Sequence, residues 1–157
     1  MKVNLLIGGY PLNGYLNLDP LAQPNDSSKV NHGLENLDDI VDNNECDEFL
    51  AYKVIDAFPV NTRQQVLGHW LSKVEHGGLF TLSGLDINKA TRLIASGDIN
   101  LNDANLLLYG PCINMWSINK GVWSINDAAN AILSTGQYQI LSKSFNGPLY
   151  VIKAKRL

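Results

Sequence analysis

Residues 3–7, Val3-Asn4-Leu5-Leu6-Ile7, form a short apolar run that stops at Gly8-Gly9, and a second run, residues 15–18, stops at Asp19. This is the layout of two strands whose carboxyl ends face one ligand. Open α/β sheets bind ligands outside those ends, where glycine admits a close backbone approach and an acid can accept a pair of ribose hydroxyls. Only seven residues separate Ile7 from Tyr15. A crossover between parallel strands normally takes a dozen or more, usually as an α-helix. The spacing therefore rules out an ordinary dinucleotide fingerprint. It also disfavours a nicotinamide-dependent enzyme, which would use the missing helix to hold pyrophosphate.

The rest of the chain alternates strand and helix signals. Residues 20–31 are rich in turn formers, with Pro24-Asn25-Asp26-Ser27-Ser28 as the clearest loop, expected to be mobile. Residues 29–32 suit a short third strand. The block Phe49-Leu50-Ala51-Tyr52 is expected to be a fully buried parallel strand. Beyond Pro59, the spacing of Val66, Leu67, Trp70, Leu71 and Val74 predicts an amphipathic helix over residues 60–74, capped by Asn61 or Thr62 and stopped by Gly77-Gly78. A strand over residues 79–82 follows. Asp86 would cap a helix that ends at Gly97, and residues 102–109 suit another that ends at Gly110. Residues 111–123 have no period, but Met115, Trp116 and Trp123 predict a folded segment rather than a solvated one. Ser124 caps a helix closed by Gly136, and two β-rich runs joined by Phe145-Asn146-Gly147-Pro148 predict a C-terminal hairpin. This order calls for a mainly parallel sheet covered by helices, with an antiparallel strand near one edge.

A chain of 157 residues suits one domain, residues 1–157, with one core. Its net charge of −3, with no basic cluster longer than residues 153–156, leaves no electrostatic footprint for stable nucleic-acid binding. Cys46 and Cys112 are solitary and are read as buried thiols, and His32, His69 and His76 share no metal spacing, so neither disulfide nor metal is expected. His69 suits a packed position, and His76 the end of a helix dipole. No apolar run approaches the ~18 residues of a membrane span and no basic leader precedes the first strand, so a soluble, cytoplasmic protein without a membrane partner is expected.

With these pieces placed, the chain resembles the class I S-adenosylmethionine-dependent methyltransferases, above all a compact subgroup whose members open with Lys-Leu-Asn-Leu-Gly-Cys-Gly, a few loop residues, then Gly-Trp-x-Asn-Val-Asp. Residues 2–19 align with that opening without gaps. The subgroup's Asp-Glu-Ile-x-Ala-x-x-Val-Leu-Glu-His-x-Pro is similar to Asp47-Glu48-Phe49-Leu50-Ala51-Tyr52-Lys53-Val54-Ile55-Asp56-Ala57-Phe58-Pro59, and its helix ending in Pro-Gly-Gly is similar to residues 70–78. The likeness runs loosely on to Leu157. It implies a Rossmann-like methyltransferase sandwich, mainly parallel with an antiparallel C-terminal strand, and with the first crossover helix missing.

The resemblance also implies a cofactor, S-adenosyl-L-methionine, and no metal. Its methionine part would lie against Gly8 and Gly9, its ribose hydroxyls on Asp19, and its adenine near Leu34 and Glu35. Leu34 stands where the family has an acid, and strand alternation would point Glu35 elsewhere. Tyr52 and Lys53 follow the next strand and complete the implied contacts. The reaction would be in-line displacement at the sulfonium, helped chiefly by positioning, onto a small-molecule or saccharide acceptor. Asp56 is the candidate catalytic base, and Tyr52 a second candidate for steering the acceptor. Trp116, Lys120 and Trp123 lie in the segment with which family members cover the substrate side.

Three departures motivate an alternative. The family's first glycine falls on Leu6 and its second on Gly8, the adenine acid falls on Leu34, and a Glu-His pair becomes Asp56-Ala57. A degenerate member that keeps the sheet without transfer activity, as a ligand-binding or interaction module, would carry such changes.

Overall fold

Alternation of apolar and polar residues, more than continuous apolar runs, builds the sheet. The computed structural model describes residues 1–157. Strands β1 (Lys2–Leu5), β2 (Leu16–Leu18), β3 (Cys46–Tyr52), β4 (Val74–Leu85), β5 (Tyr138–Asn146) and β6 (Leu149–Arg156) form one sheet in the order β2-β1-β3-β4-β6-β5. β1 runs parallel to β2 and β3, β3 runs parallel to β4, and β6 is antiparallel to both β4 and β5. The expected mainly parallel sheet with its antiparallel C-terminal strand is present, and β1 reaches β2 without a helix. The expected third strand contributes only a bridge between Leu18 and Val30.

Register places Val3, Phe49, Phe80 and Ala154 side by side on one face, and Leu5, Ala51, Leu82 and Ile152 in the next row, all buried. Helices α1 (Val60–Lys73) and α4 (Ile125–Leu133) cover this face. Their Val66, Leu67, Trp70, Leu71, Ala128 and Ile132 join the strand residues in one cluster of 28 buried residues. Trp70 lies 6.5 Å from the Phe49 ring and edge-on to Phe58 at 5.7 Å. Truncating so large a buried ring to alanine costs about 3–5 kcal/mol. No helix is long and apolar enough to cross a membrane.

The opposite face carries Lys2, Glu48, Leu79 and Lys155 in one row and Asn4, Leu50, Thr81 and Lys153 in the next. Lys2 pairs with Glu48 at 2.9 Å, both lysines of β6 are exposed, and Leu79 is 42% exposed. The sandwich thus has two layers. β3 is correspondingly half-buried rather than fully buried, with Tyr52 exposed. Absence of a crossover helix leaves much of this face to water, though Asn4 on it is buried against Asn17, and a sheet meets water by alternating apolar and polar residues.

Several boundaries differ from the sequence expectation. α1 begins after Pro59 without a side-chain cap and passes directly into β4, so Gly77 and Gly78 lie inside a strand. They serve a register shift against β3: Gly77 has φ 81°, and a Cβ on Gly78 would stand 2.8 Å from the Cys46 carbonyl oxygen. His76 consequently meets the Leu157 carbonyl at 2.7 Å instead of ending a helix. α2 (Ile87–Ala95) is capped by Asp86, α3 (Leu101–Tyr109) by Asn100, and α4 by Ser124 in a capping box with Asp127. Cys46 is buried as expected, but Cys112 is exposed. The loop of residues 20–31 is closed on itself by Asn31, whose amide donates to the Ala22 carbonyl at 2.7 Å, and is tied back to the fold through Lys29 on Asp19 and the Val30 N–H on the Asn17 carbonyl.

Candidate functional site

The chain leaves β1 toward β2 on one side of the sheet and later returns to β3 on the other, which makes the C-terminal edge between β1 and β3 a topological switch point. Ligands of open α/β sheets bind at such points. A crevice of about 430 Å³ lies there, walled by Leu6, Ile7, Gly9 and Leu12 from the turn after β1 and by Tyr52 and Lys53 from the end of β3. Tyr52 is fixed by its hydroxyl, which accepts from the Asn146 amide at 3.0 Å, and Lys53 sits at φ 60° with its backbone N–H on the Ser83 carbonyl. The turn is shaped by two asparagines. Asn4 donates to Asn17 at 2.9 Å, and Asn17 both accepts from the Leu12 N–H at 2.9 Å and donates to the Leu12 carbonyl at 3.0 Å. Neither was singled out in the sequence, although an asparagine in the middle of each of two short strands is a signal of a built polar contact.

Gly8 and Asp19 are bound to each other rather than to the crevice. Gly8 adopts φ 69°, which turns its N–H onto both oxygens of the Asp19 carboxylate at 3.1 Å each. The Leu21 N–H adds a bond of 3.0 Å to Oδ1, and the Lys29 ammonium one of 3.1 Å to Oδ2. The Asp19 side chain is 1% exposed. Leu6, at the position of the family's first glycine, lays its side chain against Gly9, where a Cβ would stand 3.1 Å from it.

A second cavity, of about 550 Å³, opens between residues 35–38, α1 and the segment after α3, with Glu35, Phe58, Thr62, His69, Trp116 and Lys120 among its walls. Within residues 34–37 the outer two face the core and the inner two, Glu35 and Asn36, line the cavity. Leu34 and Leu37 are fully buried, the Trp70 indole N–H donates to the Leu34 carbonyl at 2.7 Å, and the Leu37 N–H donates to His69 Nε2 at 2.8 Å. Leu34 therefore faces the core and lines neither cavity. Glu35 is not in a strand, so alternation does not turn it away: its carboxylate folds back over Gly33, where a Cβ would meet it at 2.9 Å, and it reaches the cavity. Because His69 Nε2 accepts a hydrogen bond, the neutral ring carries its proton on Nδ1. Burial, and then the Lys73 charge, push its pKa down and keep it neutral.

Asp56 stands behind the wall of this cavity. It lies on the 3₁₀ turn Ile55–Ala57, and its carboxylate turns inward, Oδ2 accepting from the Leu85 N–H at 2.9 Å and Oδ1 lying 4.0 Å from Arg63. Burial pushes its pKa up to about 6, against the opposing pull of the Leu85 bond and of Arg63. Arg63 is itself fully buried. It donates twice to the Phe58 carbonyl, at 2.9 and 3.2 Å, and once to that of Gly121 at 2.7 Å, with its guanidinium 5.0 Å from the Trp123 ring centre. A base must come within hydrogen-bond reach of the group it deprotonates. At 1% exposure Asp56 opens onto neither cavity, and its geometry is that of a clamp between the 3₁₀ turn, α1 and β4.

The structure thus gathers Gly9, Tyr52 and Lys53 into one crevice and places Glu35 in the neighbouring cavity. Gly8 and Asp19 are locked together, Leu34 is in the core and Asp56 is behind the wall. Both spaces fall within the range of small-molecule sites, about 300–1,000 Å³. Gly9, Tyr52 and Lys53 line a crevice of a size that suits part of the cofactor implied by the sequence, and Glu35 lines a separate one beside α1.

No protein-family model matches the chain, and no curated protein matches it. Solved structures do. A SAM-dependent methyltransferase from Archaeoglobus fulgidus is similar at a TM-score of 0.61 and 11% identity, over 90% of this chain and 76% of that one. The 1,6-didemethyltoxoflavin-N1-methyltransferase of Burkholderia thailandensis, solved with 1,6-didemethyltoxoflavin and S-adenosylhomocysteine bound, is similar at 0.58 and 10% identity, over 90% and 60%. An O-methyltransferase family protein from Burkholderia thailandensis is similar at 0.58 and 14% identity, over 82% and 35%. The chain therefore spans about a third to three-fifths of the length of the latter two. It has the fold of the class I S-adenosylmethionine-dependent methyltransferases.

Proposed function

We propose that the protein is a small S-adenosylmethionine-dependent methyltransferase acting on a small-molecule or saccharide acceptor. The observation that carries this reading is the crevice at the switch point between β1 and β3, where Gly9, Tyr52 and Lys53 converge on the edge that α/β sheets use for ligands. Gly8 and Gly9 would hold the methionine part, Asp19 the ribose, and Glu35 the adenine side. The cofactor supplies an activated methyl group. The chain's own residues supply positioning: the Asn4–Asn17 pair shapes the turn, the Asp56–Arg63 clamp holds Phe58 and the Trp116 segment in place, and the cavity beside α1 presents His69 Nδ1–H, Thr62 and Lys120 to polar groups of an acceptor. Alignment alone can contribute several kcal/mol, about 7–11 in well-oriented cases, so an acceptor that is already deprotonated needs no base.

A second reading, a methyltransferase-fold module without transfer activity, is favoured by the filled coordination of Asp19 and the inward turn of Asp56. Titration calorimetry with S-adenosylmethionine and S-adenosylhomocysteine separates the two. Binding at micromolar concentration supports the enzyme reading, and failure of both to bind at millimolar concentration defeats it.

A further inference from the structure

We propose that Lys29 is the residue that sets cofactor affinity, as an internal competitor standing on Asp19 where the vicinal diol of a nucleoside must go; this inference rests on the cofactor reading above. A carboxylate offers about four acceptor positions. All four positions of Asp19 are taken: Oδ1 by the N–H groups of Gly8 and Leu21, Oδ2 by the shared Gly8 N–H and by Lys29. A diol needs two of them.

The four contacts are not equally replaceable. The Gly8 and Leu21 donors belong to the backbone of the turn after β1 and of the loop after β2, which Asp19 holds together, and moving them far would undo both. Lys29 arrives from the loop after β2 on a flexible four-carbon stem, and its ammonium makes no other hydrogen bond or ion pair in the structure. Its departure frees one position on Oδ2 directly. The divided Gly8 N–H can then settle on Oδ1, which frees the second. Asp19 keeps two backbone donors throughout, so the exchange leaves the turn intact.

The side chains are 1% exposed for Asp19 and 12% for Lys29, so the ammonium both screens the acid from solvent and blocks it. Lys29 contributes no atom to a bound diol. Any ligand that engages Asp19 must first break a partly buried charge-assisted bond, and such bonds are among the stronger ones in proteins. The lysine therefore lowers affinity for every ligand read through its diol and leaves untouched ligands that bypass Asp19.

The test is calorimetry of S-adenosylhomocysteine with the wild-type protein, Lys29→Met and Lys29→Arg, alongside adenosine and 2′,3′-dideoxyadenosine. Thermal melts establish that each variant is folded. Lys29→Met is expected to bind S-adenosylhomocysteine and adenosine at least tenfold more tightly than wild type, while Lys29→Arg, which keeps the ion pair, stays as weak as wild type. The gain should vanish for the dideoxy compound. Equal or weaker binding by Lys29→Met, in a protein whose wild type binds, overturns the role of Lys29 and leaves the cofactor reading standing. A gain of the same size for the dideoxy compound also overturns it, since the lysine would then act by charge alone. If no variant binds at millimolar concentration, the inference and the cofactor reading fall together.

Discussion

Replacing Arg63 with methionine tests whether the clamp behind the cavity wall holds the site in shape. Arg63 is fully buried, donates three hydrogen bonds to the Phe58 and Gly121 carbonyls, and faces the Asp56 carboxylate at 4.0 Å. Methionine keeps much of the volume but removes every donor and the charge. Breaking a buried pair by removing one partner costs about 3–5 kcal/mol, because the other charge is left uncompensated. The Gly121 carbonyl, on a half-buried residue, can meet water, whereas the buried Phe58 carbonyl is left unpaired and pushes the loss toward the upper end of that range. For a chain of this size each kcal/mol moves the melting temperature by about 2–4 °C, so a fall of roughly 6–20 °C is expected at pH 8. At pH 5 the loss should be smaller. Arg63 opposes the rise of the Asp56 pKa to about 6, so without it the acid stays protonated to higher pH and carries no charge to strand. Urea unfolding followed by tryptophan fluorescence at both pH values measures this. The double variant Arg63→Met/Asp56→Asn should recover part of the loss at pH 8. A single variant that loses less than about 1 kcal/mol at pH 8, below the range of buried pairs, or a double variant no more stable than Arg63→Met, refutes the clamp.

Two further outcomes follow from the same cluster. Asp56 has a folded pKa of about 6, above its ordinary value of 3.8, so the native state holds its proton more tightly than the unfolded chain. The stability this gives is complete below about pH 4 and is lost as pH rises to about 6, by roughly 3 kcal/mol in all. Denaturation midpoints of wild type and Asp56→Asn, compared between pH 4 and 7, should diverge across that window; a constant difference would mean that the acid does not titrate there. Gly84→Ala should be destabilising by about 1–3 kcal/mol, since its Cβ would stand 2.6 Å from the Tyr150 hydroxyl and 3.0 Å from Asp56 Oδ1. Adding Tyr150→Phe should relieve part of that cost, and a double variant as unstable as Gly84→Ala would show that the crowding lies elsewhere.

The elements legible in the sequence were those with a period or a stop. The helix over α1 shows in the spacing of Val66, Leu67, Trp70 and Leu71, the caps of α2 and α4 in Asp86 and Ser124, and the hairpin in Asn146-Gly147-Pro148, which the structure turns through Gly147 at φ 58°. Gly77-Gly78 misled because a glycine that ends a helix and one that admits a bulge look alike in one dimension. Only the approach of the Cys46 carbonyl decides between them. The site was legible in its positions and not in its directions. Gly9, Tyr52 and Lys53 meet as their places after strands require, but the inward turn of Asp56 depends on Leu85 and Arg63, and the filling of Asp19 on a lysine from an aperiodic loop. No local pattern announces such partners.

The missing crossover helix links the fold to the site. A helix between β1 and β2 would cover the second face of the sheet and bring its first turn to the ligand edge. Its absence leaves two tasks to other residues. The open face is met by polar and charged side chains at alternate positions, which is why Lys2, Glu48, Lys153 and Lys155 stand where a three-layered protein would place apolar ones. The turn that remains must be held without a helix behind it, and Asp19 does this through the Gly8 N–H, while its bond from Leu21 fixes the start of the loop after β2. An acid given that structural duty is no longer free for a ligand in the resting protein. The locked Asp19 is therefore a consequence of the compact architecture, and Lys29, the one partner the turn can spare, is where ligand binding and folding compete.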